Sequence, residues 1–425
     1  MNQPTSLQGT NALYLLLLIF LCIISCKKSG DVISPPFPLK VIATTPEKTD
    51  AGSAYDENVT VSLNNVVDAA KFSSGITVSC NGAPVKGTIT QVDSSICFTP
   101  DLELLPETVY TATLSIATKE GNTPSYTYTW NFTTKGADKY LMTQRSTAVT
   151  DFNRDGSRMM QIGKYAYSFG GWQVPPESYN DVYRSTGDLT TWEKMPDAPW
   201  HGRHVFGIAK LADGTYVVGG DNLHSDFDVW RTTDGENWTL LTSNILGNRM
   251  LYGCTTHNGY IYIVGGAGYS DVWRSRNGID WEPVAEHVDF LKGECFAGSL
   301  TSFKGRLWMV CGGGNGYGQG TFRKEVWSSI DGKVWKQEKD FGGTERNYTD
   351  VCVWDNKLWV ISGYNPTESN IKSIWYMKPN GTWHEYETPA DYIGRHATGV
   401  TVYNGKLVIT CGNYFNDCWV IEKIK

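Results

Sequence analysis

The sequence lacks the basic excess that nucleic-acid binding requires. It carries 37 Lys and Arg against 44 Asp and Glu, for a net charge of −7, so no global basic field recruits a polyanion. Its seven His residues are scattered, and only His201 and His204 lie close together, which is too little for a metal site. A Ser-His-Asp order, a phosphate loop and a nucleic-acid motif are also missing. We therefore expect no nucleic-acid partner, no metal and no cofactor.

An apolar run at the N-terminus is too short to span a bilayer comfortably. Residues 13–24 form this run, which ends next to Cys26, and its length suits a signal-peptide core. Residues 1–26 resemble a bacterial lipoprotein signal peptide with Cys26 as the lipidated residue. That resemblance implies a lipid anchor in the outer membrane, at the surface of a Gram-negative bacterium. A plain secretory signal or an N-terminal anchor helix stays open.

The next two segments differ sharply in composition. Residues 27–38 are rich in Lys, Ser, Gly and Pro, which predicts a flexible tether. Residues 39–135 contain alternating runs such as Val59–Leu63 and Tyr126–Thr134, which predict about seven half-buried strands in a sandwich. This segment resembles the bacterial Ig-like domain of surface proteins, on residues 45–46, 97–100, 105–110 and 130–134. The resemblance implies a spacer or adhesive module.

A repeat organises the rest of the chain, residues 138–425. Its central aromatic recurs at intervals of 47, 43, 54, 48 and 44 residues. The six copies are Tyr183, Trp230, Trp273, Trp327, Trp375 and Trp419. A period of about 40–50 residues built from short strands is typical of a β-propeller.

The repeat consists of an opening Arg, a Gly doublet or its remnant, the central aromatic and a later Trp; Glu294 replaces the opening Arg in the fourth copy, and the sixth copy lacks the later Trp. This pattern resembles the kelch, or galactose-oxidase-like, family. The expected fold class is therefore all-β, with an N-terminal Ig-like β-sandwich followed by a six-bladed kelch-type β-propeller. The sixth copy ends before its closing Trp. We expect residues 139–143 to supply the missing strand, paired with residues 419–422, because this leaves no open edge.

The opening residues of the repeats are candidates for chemistry, because kelch-type propellers place them near the channel mouth. The ring comprises Arg154, Arg203, His204, Arg249, Glu294, Arg346, Arg395 and His396. Glu294 with Arg249 or Arg346 would be the acid–base and anion-binding groups of an enzyme that resembles kelch-type sialic-acid mutarotases. The alternative is structural: residues repeated in nearly every unit would tie adjacent blades together.

The loops after the Gly doublets differ from one another, so they are the better candidates for specificity. Their aromatic side chains could stack on sugar rings. These are Trp172, Tyr179, Tyr269, Tyr317, Tyr364 and Tyr414. With Arg203, His204, Arg395 and His396, they form the predicted ligand-binding set.

Three functions follow from these features. Recognition of a glycan or of another envelope or surface protein, without catalysis, is favoured. A mutarotase-like enzyme that acts on an anionic sugar and a purely structural protein-interaction scaffold are the alternatives.

Cys80 and Cys97 could form a disulfide in an oxidising envelope.

Overall fold

A computed structural model describes most of the chain in all-β form. The described residues are 32–33, 39–48, 51–53, 58–70, 72–118, 124–173, 177–220, 227–243, 245–247, 249–291, 299–310, 312 and 322–424. The lipidation candidate Cys26 and the predicted tether, apart from its residues Val32 and Ile33, therefore lie outside the described residues. The described part of the chain contains no helix with the length and apolar character needed to cross a bilayer. Contacts divide the chain into two compact units, the second of which includes all residues from Thr134 onwards.

The first unit contains two antiparallel sheets and one parallel pair of short strands. They are β1 (Val32–Ile33), β2 (Val41–Thr45), β3 (Ala51–Ser53), β4 (Val59–Leu63), β5 (Val66–Val67), β6 (Phe72–Cys80), β7 (Ala83–Pro84), β8 (Gly87–Val92), β9 (Ser95–Pro100), β10 (Val109–Thr118) and β11 (Pro124–Thr134). One sheet has the order β3-β11-β10-β6-β7 and the other β2-β4-β9-β8, while β1 pairs with β5. The number of strands exceeds the predicted seven, because several strands at the sheet edges are only two or three residues long.

Alternating apolar residues explain the core of this unit. Val59, Val61 and Leu63 of β4 are buried, whereas the polar residues between them are half-buried. On β11, Trp130 and Phe132 are buried in the same way. Period-two burial is what a strand with one solvated face requires. The predicted strands at residues 59–63 and 126–134 are confirmed.

The second unit begins with β12 (Lys139–Ser146) and continues as repeated groups of four strands. These are β13 (Arg158–Ile162), β14 (Tyr165–Gln173), β15 (Glu177–Ser185), β16 (Glu193–Met195); β17 (Gly207–Leu211), β18 (Gly214–Val218), β19 (Val229–Thr232), β20 (Thr239–Thr242); β21 (Gly253–His257), β22 (Tyr260–Gly266), β23 (Tyr269–Ser275), β24 (Trp281–Ala285); β25 (Leu300–Phe303), β26 (Arg306–Val310), β27 (Val326–Ser329), β28 (Lys336–Gln337); β29 (Asp350–Trp354), β30 (Lys357–Asn365), β31 (Ser369–Met377), β32 (Trp383–Tyr386); and β33 (Gly399–Tyr403), β34 (Lys406–Thr410), β35 (Cys418–Ile424).

Each of the first five groups forms one four-stranded antiparallel sheet, and the last three strands form a sixth together with β12. We number these sheets 1 to 6 in chain order; sheets 1 to 5 use their four strands consecutively, and sheet 6 has the order β12-β35-β34-β33. The first strands β13, β17, β21, β25, β29 and β33 each contact the next, and β33 contacts β13. These contacts form a closed cycle of first strands. Aromatic and aliphatic side chains fill the spaces beside the sheets, as in the cluster of Trp354, Trp359, Tyr392 and Trp419.

The fourth strand of sheet 6 comes from the start of the unit. β12 pairs antiparallel with β35, with Leu141 opposite Glu422 and Thr143 opposite Val420. The predicted pairing of residues 139–143 with the C-terminal strand is thus confirmed. Without β12, the backbone of β35 would present an unpaired edge.

Candidate ligand site at the start of the first strands

Four of the opening arginines form buried ion pairs inside their own sheets. Arg154 donates from Nη1 to Asp181 Oδ1 at 2.5 Å and from Nη2 to Asp181 Oδ2 at 2.9 Å. Arg203 pairs with Asp228 in the same two-pronged manner. The equivalent pairs are Arg249 with Asp271 and Arg395 with Asp417. Bidentate pairing of this kind fixes both side chains in one plane.

The same guanidinium groups also bond to the backbone near the glycine doublets. Arg154 Nη1 donates to the Gly170 carbonyl at 3.0 Å, and Arg395 Nη1 donates to the Cys411 carbonyl at 3.1 Å. In sheet 5, Arg346 meets Ser373 instead of an aspartate, with 3.0 Å between Nη2 and Oγ. Each arginine therefore joins the first, second and third strands of one sheet.

This placement bears directly on the predicted site residues. Arg203, Arg249, Arg346 and Arg395 are at most 3% exposed, and their charged groups face partners within the protein. The structural alternative had them tie adjacent blades, whereas the observed bonds lie within a sheet. A ligand would have to displace these bonds to reach the guanidinium groups, which favours a structural role.

The residue after an opening arginine lies where its backbone contacts a loop that follows a glycine doublet. Asp155 and Trp172 exchange backbone hydrogen bonds of 3.0 and 2.8 Å. Asn347 and Tyr364 do the same at 2.9 Å, and Asn413 donates to the His396 carbonyl at 3.1 Å. In each case a loop that follows a doublet is held against the start of a first strand. The loops and the opening residues therefore meet at one end of the cycle of first strands.

At the next position along the chain, backbone hydrogen bonds link four of the six sheets at this end of the cycle. Gly156 donates to the Ala397 carbonyl at 2.7 Å, and Ala397 donates to the Tyr348 carbonyl at 2.9 Å. Val205 donates to the Gly156 carbonyl at 2.8 Å. Val205, Tyr348 and Ala397 all have positive φ, between 46° and 52°, a conformation that costs free energy outside glycine. Sheets 1, 2, 5 and 6 are held together by these bonds.

Aromatic and imidazole rings collect around this end. We call Trp172, His204, Tyr348, Tyr364, His396 and Tyr414 the aromatic–histidine cluster. Trp172 lies 5.7 Å from Tyr414 and 6.0 Å from His204, measured between ring centres. His396 lies 5.6 Å from both Tyr348 and Tyr364. All six side chains are half-buried, so each ring keeps a surface for contact with a ligand.

A carboxylate lies beside the cluster. Asp155 is 7% exposed, and its Oδ2 is 3.8 Å from His396 Nε2. Burial raises the pKa of Asp155 to about 6, although nearby His204 opposes the shift. Burial also lowers the pKa of His396 to about 4. At neutral pH the site thus holds an ionised aspartate next to a neutral histidine.

Two predicted tyrosines lie over arginines instead of joining the cluster. Tyr269 covers Arg249, with 4.0 Å from Cζ to the ring centre. Tyr179 covers Arg154 at 4.9 Å and stacks on Phe152 at 5.9 Å. Cation–π contacts of this kind stabilise the buried arginines. Glu294 and Tyr317 lie outside the described residues.

A second polar feature lies among the first strands themselves. A cavity of about 190 Å³ is lined by residues of β13, β17, β21, β25, β29 and β33. Arg158 of sheet 1 pairs there with Asp350 of sheet 5 at 3.2 Å, and Asp350 also accepts hydrogen bonds from the backbone and hydroxyl of Thr398 at 2.8 Å. Both charged side chains are buried. This pair joins sheets on either side of sheet 6.

Sequence reasoning missed several residues at these sites. Asp155 and Tyr348 follow opening arginines but do not repeat, so the pattern gave them no weight. The partners Asp181, Asp228, Asp271 and Asp417 do repeat. This repetition was the signal in the sequence that could have identified them as the partners of the arginines. Ser373 takes the place of the aspartate opposite Arg346.

Thiols and metal ligands add no further chemistry in the described part of the chain. Cys80 and Cys97 are both free, so the suggested disulfide is absent. No group of three or more His, Cys, Asp or Glu among the described residues is arranged to hold a metal ion.

Comparison with known proteins identifies one domain. Residues 36–134 match the bacterial Ig-like domain family, in agreement with the resemblance seen in the sequence. The chain matches no protein of curated function. The N-terminal segment is thus an Ig-like domain within an all-β chain.

Proposed function

We propose that sheets 1 to 6 form a six-bladed, kelch-type β-propeller with a ligand site at one end of its central channel. The closed cycle of contacts between first strands supports this arrangement. So does the completion of sheet 6 by β12, which joins the two ends of the repeat region. Closure by a composite last sheet removes the free edge that would otherwise invite aggregation.

We propose further that the protein is a surface lipoprotein anchored through Cys26 in the outer membrane, with the Ig-like domain as a spacer. The apolar run and the polar tether that flank Cys26 support this location. Cys26→Ala should move the protein from the membrane fraction to the soluble fraction. Unchanged membrane retention of this variant would contradict the anchor.

The function that we propose for the ligand site is carbohydrate recognition without catalysis. The carrying observation is the aromatic–histidine cluster, in which half-buried rings from different sheets converge beside polar groups. Aromatic faces pack on the apolar faces of sugars, while a few polar groups fix orientation. The variable loops that follow the doublets would set specificity.

A glycan array tests this function directly. Trp172→Ala and Tyr414→Ala should each weaken binding of the captured glycan about tenfold or more, because each removes a stacking surface worth roughly 1.5 kcal/mol. Tyr165→Ala is the matched control, since Tyr165 begins the strand β14 that carries Trp172 near its other end. Glycan binding that survives both cluster substitutions would place the site elsewhere. If no glycan binds, recognition of a surface protein becomes the better proposal.

The mutarotase-like alternative receives less support from the described residues. It depends on Arg249 and Arg346 as anion-binding groups, and both are buried and bonded within their sheets. Its proposed base, Glu294, lies outside the described residues. The scaffold alternative predicts no small ligand at all, and the same array distinguishes it.

A further inference from the structure

Asp155 is an acceptor for which the described residues provide no hydrogen-bond donor to the side chain. Its backbone is paired with Trp172, and among the described residues the titratable group within 4 Å of its carboxylate is His396, whose Nε2 is 3.8 Å away. That separation is too long for a hydrogen bond. A carboxylate with so little exposure and no donor among the described residues must take its hydrogen bonds from solvent or from a ligand.

His396 presents a second acceptor to the same space. Its Nδ1 lies 2.6 Å from Asn370 Oδ1. Because an amide oxygen only accepts, Nδ1 carries the proton and donates to Asn370. The neutral imidazole therefore has its lone pair on Nε2, which is the nitrogen nearest Asp155. Two acceptors thus face each other across 3.8 Å.

The distance between these two acceptors limits which donor can bind to both. One atom can lie within about 2.8 Å of both acceptors, but it must carry two hydrogens to satisfy both. A single hydroxyl has one hydrogen and satisfies only one of them, whereas a water molecule or a primary amine has enough. The charge of Asp155 favours a cationic amine over a neutral donor. The rings of Trp172 and Tyr414 nearby offer faces that attract a cation.

We propose that Asp155 and His396 form an ammonium-binding subsite within the aromatic–histidine cluster. The inference rests on the proposed carbohydrate function, and it names the ligand class as a sugar that bears a free amino group. The same chemistry would accept a lysine side chain of a peptide, so the experiment must separate these two sources. In both cases one ammonium hydrogen is donated to Asp155 Oδ2 and another to His396 Nε2.

The subsite makes binding sensitive to pH. The titratable groups that face Asp155 are His396, His204 and Tyr414. Since the pKa of Asp155 is about 6 and that of His396 about 4, the aspartate is protonated first as the pH falls. Affinity for an amine should therefore decline below about pH 6, and it should decline again at high pH as the ligand amine loses its own proton.

The test uses the full-length protein and three probes: a glucosamine hexamer, its fully N-acetylated counterpart, and Nα-acetyl-lysine amide. Isothermal titration at pH 7 compares wild type with Asp155→Asn and Trp172→Ala. Asp151→Asn is the matched control, because Asp151 is four residues earlier and has a side chain that is 54% exposed. We expect the glucosamine hexamer to bind wild type at least tenfold more tightly than the acetylated one. Asp155→Asn should abolish that preference, and Asp151→Asn should keep it.

The outcomes separate the two proposals. Binding of the acetylated hexamer that needs Trp172 but not Asp155 would overturn the ammonium subsite and keep carbohydrate recognition. Binding of the lysine amide alone, with loss in Asp155→Asn, would support the subsite and overturn the carbohydrate function. If neither amine probe binds, the subsite is wrong. Thermal unfolding guards against misfolding: Asp155→Asn should melt at the same or a higher temperature than wild type, since it removes a charge that burial disfavours.

Discussion

Tyr140 donates a hydrogen bond of 2.6 Å to Asp355 Oδ2, and the two residues are 215 positions apart in the chain. Tyr140 belongs to β12, the strand that completes sheet 6, whereas Asp355 lies in the turn between β29 and β30 of sheet 5. The ring of Tyr140 also lies 5.3 Å from Trp354 and 5.2 Å from Trp359. The strand that completes sheet 6 is thus attached to sheet 5 as well.

Removal of this side chain should weaken the whole second unit. Tyr140→Ala deletes an aromatic ring that contacts three others and leaves a cavity, so it should reduce the free energy of unfolding by about 3 kcal/mol. Leu141→Ala is the control on the same strand, because Leu141 is 45% exposed and should cost under about 1 kcal/mol. Urea unfolding followed by tryptophan fluorescence measures both. Equal effects of the two substitutions would show that β12 contributes no packing to closure.

The strand β12 illustrates what the sequence could predict. Its place followed from a last repeat that stops one strand short of the others. Such arguments use only spacing and the need to pair every edge. The same arithmetic could not predict the contact between Tyr140 and Asp355, because it depends on which side chains two neighbouring sheets bring together.

The buried arginine–aspartate pairs should contribute far more to the free energy of unfolding than the exposed ion pairs. Asp228→Ala leaves the guanidinium of Arg203 buried without its carboxylate, which should cost about 3–5 kcal/mol. Glu282→Ala breaks the Arg274–Glu282 pair, in which the glutamate side chain is 55% exposed, and should cost under about 1 kcal/mol. Chemical denaturation of both variants is the measurement. A small effect of Asp228→Ala would reopen a functional role for the opening arginines.

The candidate site was only partly accessible from the sequence. Trp172, Tyr364 and Tyr414 were predicted from loop position, and His204 and His396 as opening residues of their repeats. The structure places these five rings at the same end of the cycle of first strands. Their polar neighbour Asp155 was not predicted, because its importance comes from burial and from the orientation of His396. Neither property leaves a trace in residue spacing. The arginines are the opposite case: a repeated charged residue is conspicuous in a sequence, and repetition is also what a structural bond requires.

Acid should weaken the second unit through Asp138. Burial alone would raise the pKa of Asp138, but hydrogen bonds from Lys423 at 2.8 Å and Lys357 at 2.9 Å overcome this and lower it. Because the folded pKa is below the unfolded value of about 3.9, the stabilisation is present above pH 4 and is lost as the pH falls through the folded pKa. We expect a loss on the order of 1 kcal/mol after solvent screening.

The comparison of wild type with Asp138→Asn isolates this contribution. The variant should be less stable at pH 6 and should show a flatter decline between pH 4 and 2. Asp289→Asn serves as the control, since the side chain of Asp289 is fully exposed. Parallel pH profiles for wild type and Asp138→Asn would exclude the assigned role.

The buried thiols should resist alkylation. Burial raises the pKa of Cys254 to about 12 and that of Cys411 to about 11, and the thiolate is the reactive form. Cys80 and Cys97 are half-buried. At pH 8, both should be alkylated more than about tenfold faster than Cys254 or Cys411. Iodoacetamide labelling with peptide-resolved mass spectrometry gives the rates. Fast labelling of Cys254 in the folded protein would indicate that the cavity among the first strands opens.

Gly394 should be essential for the position of His396. A Cβ at Gly394 would lie 2.1 Å from the Asn370 carbonyl oxygen and 2.8 Å from its carbon, so Gly394→Ala must move the backbone of Asn370. Overpacking of this kind costs about 1–3 kcal/mol. Asn370 also accepts the hydrogen bond of His396 Nδ1, so the displacement should release the imidazole and alter its NMR signals. Gly75→Ala is the control, because its Cβ would meet only Ile89 Cδ1, at 3.3 Å. If Gly394→Ala leaves both the stability and the His396 resonances unchanged, the contact between Asn370 and His396 does not hold the ring in place.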